Sequence, residues 1–169
     1  IAEIEYYVPD RYMEGYGISR IGIEYAASKQ ITLIVVLDCG IKAVDKIAYA
    51  TELGIDFIIC DHHNPDDEVP AAVAVLDPKQ PGCDYPYKEL SGCGVGFKLI
   101  QAFCFKNDLP QEIAYELLDL VVVSIASDIV PLTGENRVLA FYGLQKLNSN
   151  PSTGLKTLIN YSGIVGEIR

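Results

Sequence analysis

Two histidines stand beside an aspartate in this 169-residue chain, and together they could bind a metal ion. The triplet is Asp61-His62-His63, which contains both histidines of the protein and follows the apolar run 55–60. Carboxylates and imidazoles are common ligands of divalent cations. Because the triplet stands where a buried strand is expected to end, the pattern predicts a site of metal-assisted hydrolysis.

A second carboxylate, Asp38, is expected at the same edge of the fold. It follows the run 31–37, whose continuous apolar character is typical of a strand buried on both faces. Residues 42–53 have helical periodicity, so this stretch predicts a β-α-β unit with parallel strands. Since ligands bind beyond the carboxyl ends of such strands, which lie about 4.8 Å apart, Asp38 and Asp61 could share a cation. A turn role for Asp38 before Cys39-Gly40 stays open.

A third carboxylate, Asp128, lies between the apolar segments 117–126 and 129–132. Burying it is costly unless it is paired or metal-bound, so it is either a metal ligand or a cap of the turn before Pro131. A site of several carboxylates with one or two histidines suits Mn²⁺ or Mg²⁺. Two such ions about 3.5–4 Å apart can generate hydroxide and clamp a phosphoryl oxygen. Phosphoester hydrolysis is therefore the predicted chemistry.

The rest of the chain predicts the elements that position these residues. Strands are expected over 4–8, 31–37, 55–60 and 72–76; helices over 18–28, 42–53, 93–106, 111–126, 135–148 and 152–160; and a long loop over 79–91. The predicted fold class is α/β, with a parallel sheet and crossover helices followed by a helical half packed on it. Length and a hydrophobic content of 50% favour one domain over 1–169.

Composition narrows the function classes. A formal net charge of −10 argues against a protein whose whole surface attracts nucleic acid, although lysines outnumber acids between 78 and 107. No apolar run approaches the roughly 20 residues that span a bilayer, so no membrane association is expected. The five cysteines, mostly inside apolar runs, predict buried thiols in a reducing cytoplasm.

Glycines 92, 94 and 96 precede the predicted helix 93–106. The free N–H groups at the start of such a helix could hold a phosphate. Close packing of the helix is the alternative explanation, and glycine spacing alone does not distinguish the two.

Five blocks of sequence together resemble the DHH phosphoesterase superfamily, and within it the exonucleases specific for single-stranded DNA. They are 8–11 with 14–17, 37–40, the triplet 61–63, 85–99, and 126–132 with 135–137, and they stand in the order found in that superfamily. The resemblance covers most of residues 6–147.

The resemblance implies a role for each matching position. The implied metal ligands are Asp38, Asp61, His62 and Asp128; His63 is implied to hold the substrate phosphate; further candidate substrate contacts are Arg11, Gly92, Gly94 and Lys98. It also implies Mn²⁺ or Mg²⁺ in a two-ion site and 5′-to-3′ degradation of single-stranded DNA in recombination and repair. Repair or replication proteins are the expected partners.

The resemblance further implies that the chain is part of a catalytic domain. The superfamily's first motif, an Asp-x-Asp pair, and its C-terminal substrate-binding domain are not in these 169 residues, so weak metal binding and little activity are expected of the chain alone. Two other functions stay open. One is a DHH phosphodiesterase acting on cyclic dinucleotides, short oligonucleotides or pyrophosphate, and the other is a non-catalytic interaction module on the same fold.

Overall fold

Three parallel strands, in the order β1-β2-β3, form the sheet of a computed structural model that describes residues 4–169. The strands are β1 Leu33–Leu37, β2 Asp56–Cys60 and β3 Ala74–Leu76; the helices are α1 Arg11–Glu14, α2 Arg20–Ser28, α3 Val44–Glu52, α4 Gly92–Lys106, α5 Glu112–Tyr115, α6 Leu118–Ser127, α7 Gly134–Ser149 and α8 Thr153–Ser162. The chain divides into two compact units, Ile1–Cys83 and Asp84–Arg169. The predicted α/β class with a parallel sheet is confirmed, and the single domain stays a prediction.

The first unit is the predicted β-α-β unit extended by a third strand. Val35 of β1 is in register with Ile58 of β2, and Ile58 is in register with Ala74 of β3. Phe57 and Ile59 of β2 are buried in its core. Helices α2 and α3 each turn one apolar face toward that core, and their buried residues are Ile23, Ala26, Ile47 and Ala50.

Local signals explain where these two helices begin and end. The hydroxyl of Ser19 accepts a hydrogen bond from the Gly22 N–H, which satisfies one of the free amides at the start of α2. After α3 the chain turns at Gly54, whose φ of +75° lies in the left-handed region that glycine adopts without strain. The chain then enters β2 directly.

Two expectations about the strands were wrong. Residues 4–8 form no strand: Ile4 and Val8 are exposed, and an extended segment without a partner strand gains no ladder of hydrogen bonds. Strand β1 is also not buried on both faces, because Leu33, Val35 and Leu37 are each about half exposed while Ile34 and Val36 point toward the core. Helix α1 was not predicted, and Asp10 caps it by accepting the N–H groups of Tyr12 and Met13.

The second unit consists of helices α4 to α8. The predicted helix over 111–126 is two helices, α5 and α6, because Leu117 leaves the helical region with φ −100° and ψ 1°. Its N–H donates to the carbonyl of Ala114, three residues back, which tightens the chain into a turn. Residues 79–91 form neither helix nor strand, as predicted. How the helical half packs on the sheet stays a prediction.

Helices α6 and α7 make the most extensive contact of the second unit. The contact is close because Gly143 of α7 lies against α6. A Cβ at this position would stand 2.5 Å from the Leu118 carbonyl oxygen and 2.7 Å from the Val122 Cβ. Glycine is therefore required here for helix–helix packing.

Among residues 4–169, none of the helices combines the length and the apolar character that crossing a membrane requires. The thiols of Cys60 and Cys104 are free and buried, and that of Cys39 is free and partly buried. Burial raises the pKa of the Cys60 thiol to about 11.

We expect Gly143→Ala to lower the free energy of unfolding by about 1–3 kcal/mol, because the added methyl group forces α6 and α7 apart. Urea unfolding followed by circular dichroism measures the change. Gly154→Ala in α8 is the matched control, since a Cβ there meets no atom within 4 Å, and it should cause no loss. Equal losses in the two variants would contradict the packing role of Gly143.

Candidate metal centre

Each of the three strands is followed at once by an aspartate. Asp38 follows β1, Asp61 follows β2 and Asp77 follows β3. The hydrogen-bond ladder continues through these positions, because Asp38 N–H donates to the Cys60 carbonyl at 2.8 Å and Asp61 N–H donates to the Leu76 carbonyl at 3.0 Å. The three carboxylates therefore leave the sheet at one edge, beyond the carboxyl ends of the strands.

Asp38 and His62 are brought together directly. The Nε2 atom of His62 lies 3.1 Å from Oδ1 of Asp38, and the His62 ring is almost fully buried. Asp38 has a φ of +64°, a left-handed conformation that is uncommon for residues other than glycine and is enriched at functional sites. Gly40, with φ +112°, continues the tight loop, and a Cβ there would meet Val36 and Ile59 at 3.2–3.3 Å.

His63 completes a three-residue cluster. Asp38, His62 and His63 each offer one ligand atom, and these three atoms lie within 4.8 Å of one another. The two imidazoles meet edge to face, with ring centroids 4.6 Å apart. One carboxylate and two imidazoles within this distance fit a single Mn²⁺ ion, which accepts both oxygen and nitrogen ligands.

Asp61, the first residue of the triplet, has a different environment. Its side chain is 1% exposed. Its Oδ2 accepts the Ile41 N–H at 2.9 Å, and its Oδ1 accepts the N–H groups of His62 at 2.8 Å and His63 at 3.2 Å. The Nδ1 atom of His63 lies 2.6 Å from the same Oδ1. Both oxygens are thus engaged by the protein itself.

These contacts favour a positioning role for Asp61. Burial alone would raise the pKa of its carboxyl, but the hydrogen bonds from Ile41, His63 and His62 outweigh that effect and lower the pKa below its usual value. With Nδ1–H of His63 donated to Asp61, the Nε2 atom of that ring remains for a cation or a phosphate. The assignment of Asp61 as a metal ligand stays a prediction, and the geometry does not favour it.

Asp77 was not among the predicted site residues. It is almost fully buried, and its Oδ1 accepts the Lys79 N–H at 2.7 Å. Within the described residues its Oδ2 has no hydrogen-bond partner. Burial raises the pKa of this carboxyl, and the negative charge of Asp61 adds to the effect. Its position directly after a strand was the available signal, since Asp38 and Asp61 share it.

Asp128 lies in the second unit, at the end of α6. Its Oδ2 accepts the Gly92 N–H and the Ser124 hydroxyl, both at 3.1 Å. Ile129 follows with φ +54°, a strained conformation for a β-branched residue. The convergence of Asp128 with Asp38 and His62 stays a prediction.

The predicted phosphate cradle at the start of α4 is not supported. The first amides of the helix already have acceptors in the protein: Gly92 donates to Asp128, Cys93 to the Ser124 hydroxyl and Gly94 to the Ser91 hydroxyl. Close packing explains the glycine at 94, because a Cβ there would stand 3.2 Å from the Ser91 oxygen. The amides of Gly92 and Gly94 are therefore engaged within the protein, and substrate contact by these two residues stays a prediction.

The two predicted basic contacts have different surroundings. Lys98 forms an ion pair with Glu135, which also accepts the Tyr85 hydroxyl at 2.7 Å, so the charge of Lys98 is balanced within the second unit. The Arg11 guanidinium lies 5.2 Å from the ring centroid of Tyr16 in the first unit and is exposed. Substrate contact stays a prediction for both residues.

The model of the DHH family, N-terminal domain, matches residues 1–125. The chain belongs to the DHH family. It is 45% identical over 162 residues to the single-stranded-DNA-specific exonuclease RecJ of Bacillus subtilis, an alignment that covers 96% of this chain and 20% of that protein. The chain therefore spans about one fifth of the length of this DHH relative.

Two solved structures are similar to the DHH chain over most of its length. A structure of exonuclease RecJ bound to manganese has a TM-score of 0.79 at 30% identity and covers 95% of this chain and 40% of its own. A structure of RecJ from Thermus thermophilus with Mn²⁺ has a TM-score of 0.69 at 28% identity and covers 85% of this chain and 22% of its own.

We expect Asp61→Asn to lower the free energy of unfolding by about 2 kcal/mol, because an amide NH₂ faces backbone donors where a carboxylate oxygen accepted them. Hydrogen exchange at the Ile41 amide should also accelerate. Asp66→Asn is the control, since Asp66 is exposed and only pairs with Lys42, and it should change stability by less than about 0.5 kcal/mol. If both variants unfold at the same urea concentration, Asp61 does not hold the loop.

Proposed function

We propose that this chain provides the metal-binding part of an exonuclease that hydrolyses phosphodiester bonds of single-stranded DNA. The observation that carries the proposal is the Asp38–His62 contact of 3.1 Å beyond the ends of two parallel strands, with His63 beside it. The DHH family membership and the names of the similar proteins support the substrate class. The share of those proteins that the chain covers makes the whole activity a proposal.

The cofactor we propose is Mn²⁺, with Mg²⁺ as the alternative. The ligands within this unit are a carboxylate oxygen of Asp38 and the Nε2 atom of His62, with His63 within reach. Mn²⁺ accepts such a mixed oxygen and nitrogen set. A divalent ion bound there would supply an activated water and neutralise charge on the phosphoryl oxygens. Asp128 is proposed as a further ligand of a two-ion site.

The chain's own residues orient and hold the reacting groups. Asp61 fixes the loop of Asp38 through Ile41 and fixes His63 through its Nδ1 atom. The Nε2 atom of His63 is then free to contact a non-bridging phosphate oxygen, as the resemblance implied. His63 is about half exposed, which fits a group that meets substrate, whereas His62 is buried, which fits a ligand.

Finer parts of the function rest mainly on the family. We infer 5′-to-3′ polarity, a role in recombination and repair, a cytoplasmic location and partners among repair or replication proteins. The proposed DNA substrate supports the cytoplasmic location. The free thiols of Cys39, Cys60 and Cys104 also support it, because free thiols persist in a reducing compartment.

We expect Mn²⁺ to bind the chain, and Asp38→Ala and His62→Ala each to weaken that binding at least tenfold, because each removes a ligand. Calorimetric titration with MnCl₂ measures the affinities. Asp56→Ala is the matched control, since Asp56 is an exposed carboxylate at the opposite end of β2. Mn²⁺ binding that survives both ligand substitutions would place the ion elsewhere.

In the protein as its gene encodes it, we expect Asp38→Ala and His62→Ala to reduce degradation of single-stranded DNA by a factor of 100 or more, with folding intact. Release of nucleotides from labelled single-stranded and duplex DNA with Mn²⁺ is the assay. A cyclic dinucleotide and pyrophosphate are tested beside them. Preference for either small substrate would exclude the exonuclease and leave the family membership unchanged, and full activity of Asp38→Ala would exclude the metal site.

A further inference from the structure

A pocket of about 270 Å³ lies beside the metal cluster in the first unit. Its lining includes His63, Asp61, Tyr16, Cys39 and Lys46 of helix α3. The volume lies just below the usual range for small-molecule sites, roughly 300–1,000 Å³, and suits a ligand no larger than one nucleotide unit. The predicted substrate contacts include one residue of this lining, His63.

Lys46 is a basic group of this pocket that forms no ion pair. It is partly buried, and within residues 4–169 no carboxylate oxygen lies within ion-pair distance of its ammonium. The other lysine of the lining, Lys42, differs, because its ammonium pairs with Asp66 at 2.9 Å. Asp61 lines the same pocket, but its oxygens are engaged by Ile41, His62 and His63 and form no ion pair with Lys46.

Tyr16 provides an aromatic surface at the same pocket. Its hydroxyl donates to the Asp38 carbonyl at 3.4 Å, which places the ring next to the metal cluster, and the ring is well exposed. The Arg11 guanidinium lies 5.2 Å from the ring centroid. Proteins that bind single-stranded nucleic acids commonly combine an exposed aromatic ring with a nearby cation, because the base stacks on the ring while the cation contacts the phosphate.

We propose that this pocket binds one nucleotide of the DNA strand, with its phosphate on Lys46 and its base against Tyr16. The site rests on the proposed function for the class of ligand and assigns two residues, Lys46 and Tyr16, that the metal cluster does not need. The amino end of α3 lies at this pocket, and Ala43 offers that helix no side-chain cap, so its first amides could donate to the phosphate.

The test is binding without catalysis. Thymidine 5′-monophosphate and thymidine are titrated into the ¹⁵N-labelled chain in the absence of divalent ions, and amide shifts are followed by NMR. We expect saturable shifts between residues 40 and 46 and at Tyr16, with at least tenfold weaker binding of thymidine, which lacks the phosphate. Equal affinities for the two, or shifts confined to the second unit, would overturn the proposal.

Substitutions separate the two contacts. Lys46→Gln should weaken binding of the monophosphate about tenfold, the size of one charge-assisted hydrogen bond, and Lys46→Arg should restore it. Lys29→Gln, at the end of α2 and outside the pocket, is the matched control and should bind normally. A folded Lys46→Gln chain that binds like Lys29→Gln would contradict the phosphate contact, and so would a folded Lys46→Arg chain that fails to restore binding.

Inorganic phosphate serves as the second probe. Tyr16→Leu should weaken binding of the monophosphate and leave that of inorganic phosphate unchanged, because only the base contacts the ring. No effect on the monophosphate would remove Tyr16 from the site. Because these measurements contain no metal and no hydrolysis, failure here leaves the proposed nuclease intact, and loss of the metal site in the earlier experiments leaves this pocket intact.

Discussion

One buried carboxylate organises the end of the sheet in the first unit. Asp61 is shielded from water, and an ionised carboxylate in that position is costly unless donors replace the lost hydration. Its donors come from two strand ends: Ile41 from the loop after β1, and the two histidines from the residues that follow β2. Satisfying this single group therefore holds the Asp38 loop and the His63 ring in one arrangement.

The backbone is strained at or next to the two candidate metal ligands outside the triplet, Asp38 and Asp128. Asp38 itself and Ile129, next to Asp128, occupy left-handed conformations that cost about 1–3 kcal/mol each. At Asp38 the cost is offset locally, since the loop it enters is anchored by the Ile41–Asp61 hydrogen bond. A carboxylate that the folded loop already holds in position needs little rearrangement when it binds a cation.

Local patterns made part of this structure predictable. The β-α-β unit and the triplet could be recognised because apolar runs, helical periodicity and residue type are local features of the sequence. The prediction of a strand over 4–8 was wrong because a strand requires a partner strand. The prediction that β1 is buried on both faces was wrong because burial depends on what packs against each face. Both are properties of the assembled chain.

The roles of individual site residues were harder to predict, for a related reason. Sequence placed Asp61 at a strand end, but whether its oxygens face a cation or N–H groups depends on Ile41, twenty residues earlier. The glycines at 92 and 94 suggested a phosphate cradle, and the acceptors that occupy it come from Asp128, Ser124 and Ser91. Lys46 carried no motif at all, and only the fold shows that it shares a pocket with His63.

The acidic composition is compatible with the proposed DNA substrate, because the net charge does not describe the charge around the metal cluster. The net charge of −10 describes the whole chain and does not show where the charges lie; Asp61 is buried among N–H donors, and Glu135 is paired with Lys98. Around the metal cluster the balance differs, because within residues 4–169 neither Arg11 nor Lys46 has a carboxylate partner. Charges beyond about 8–10 Å are largely screened at physiological salt, so an approaching phosphate responds to Arg11, Lys46 and the carboxylates Asp38 and Asp61 beside them more than to distant acids. The local arrangement of charge, rather than the total, decides which ligand this edge of the sheet attracts.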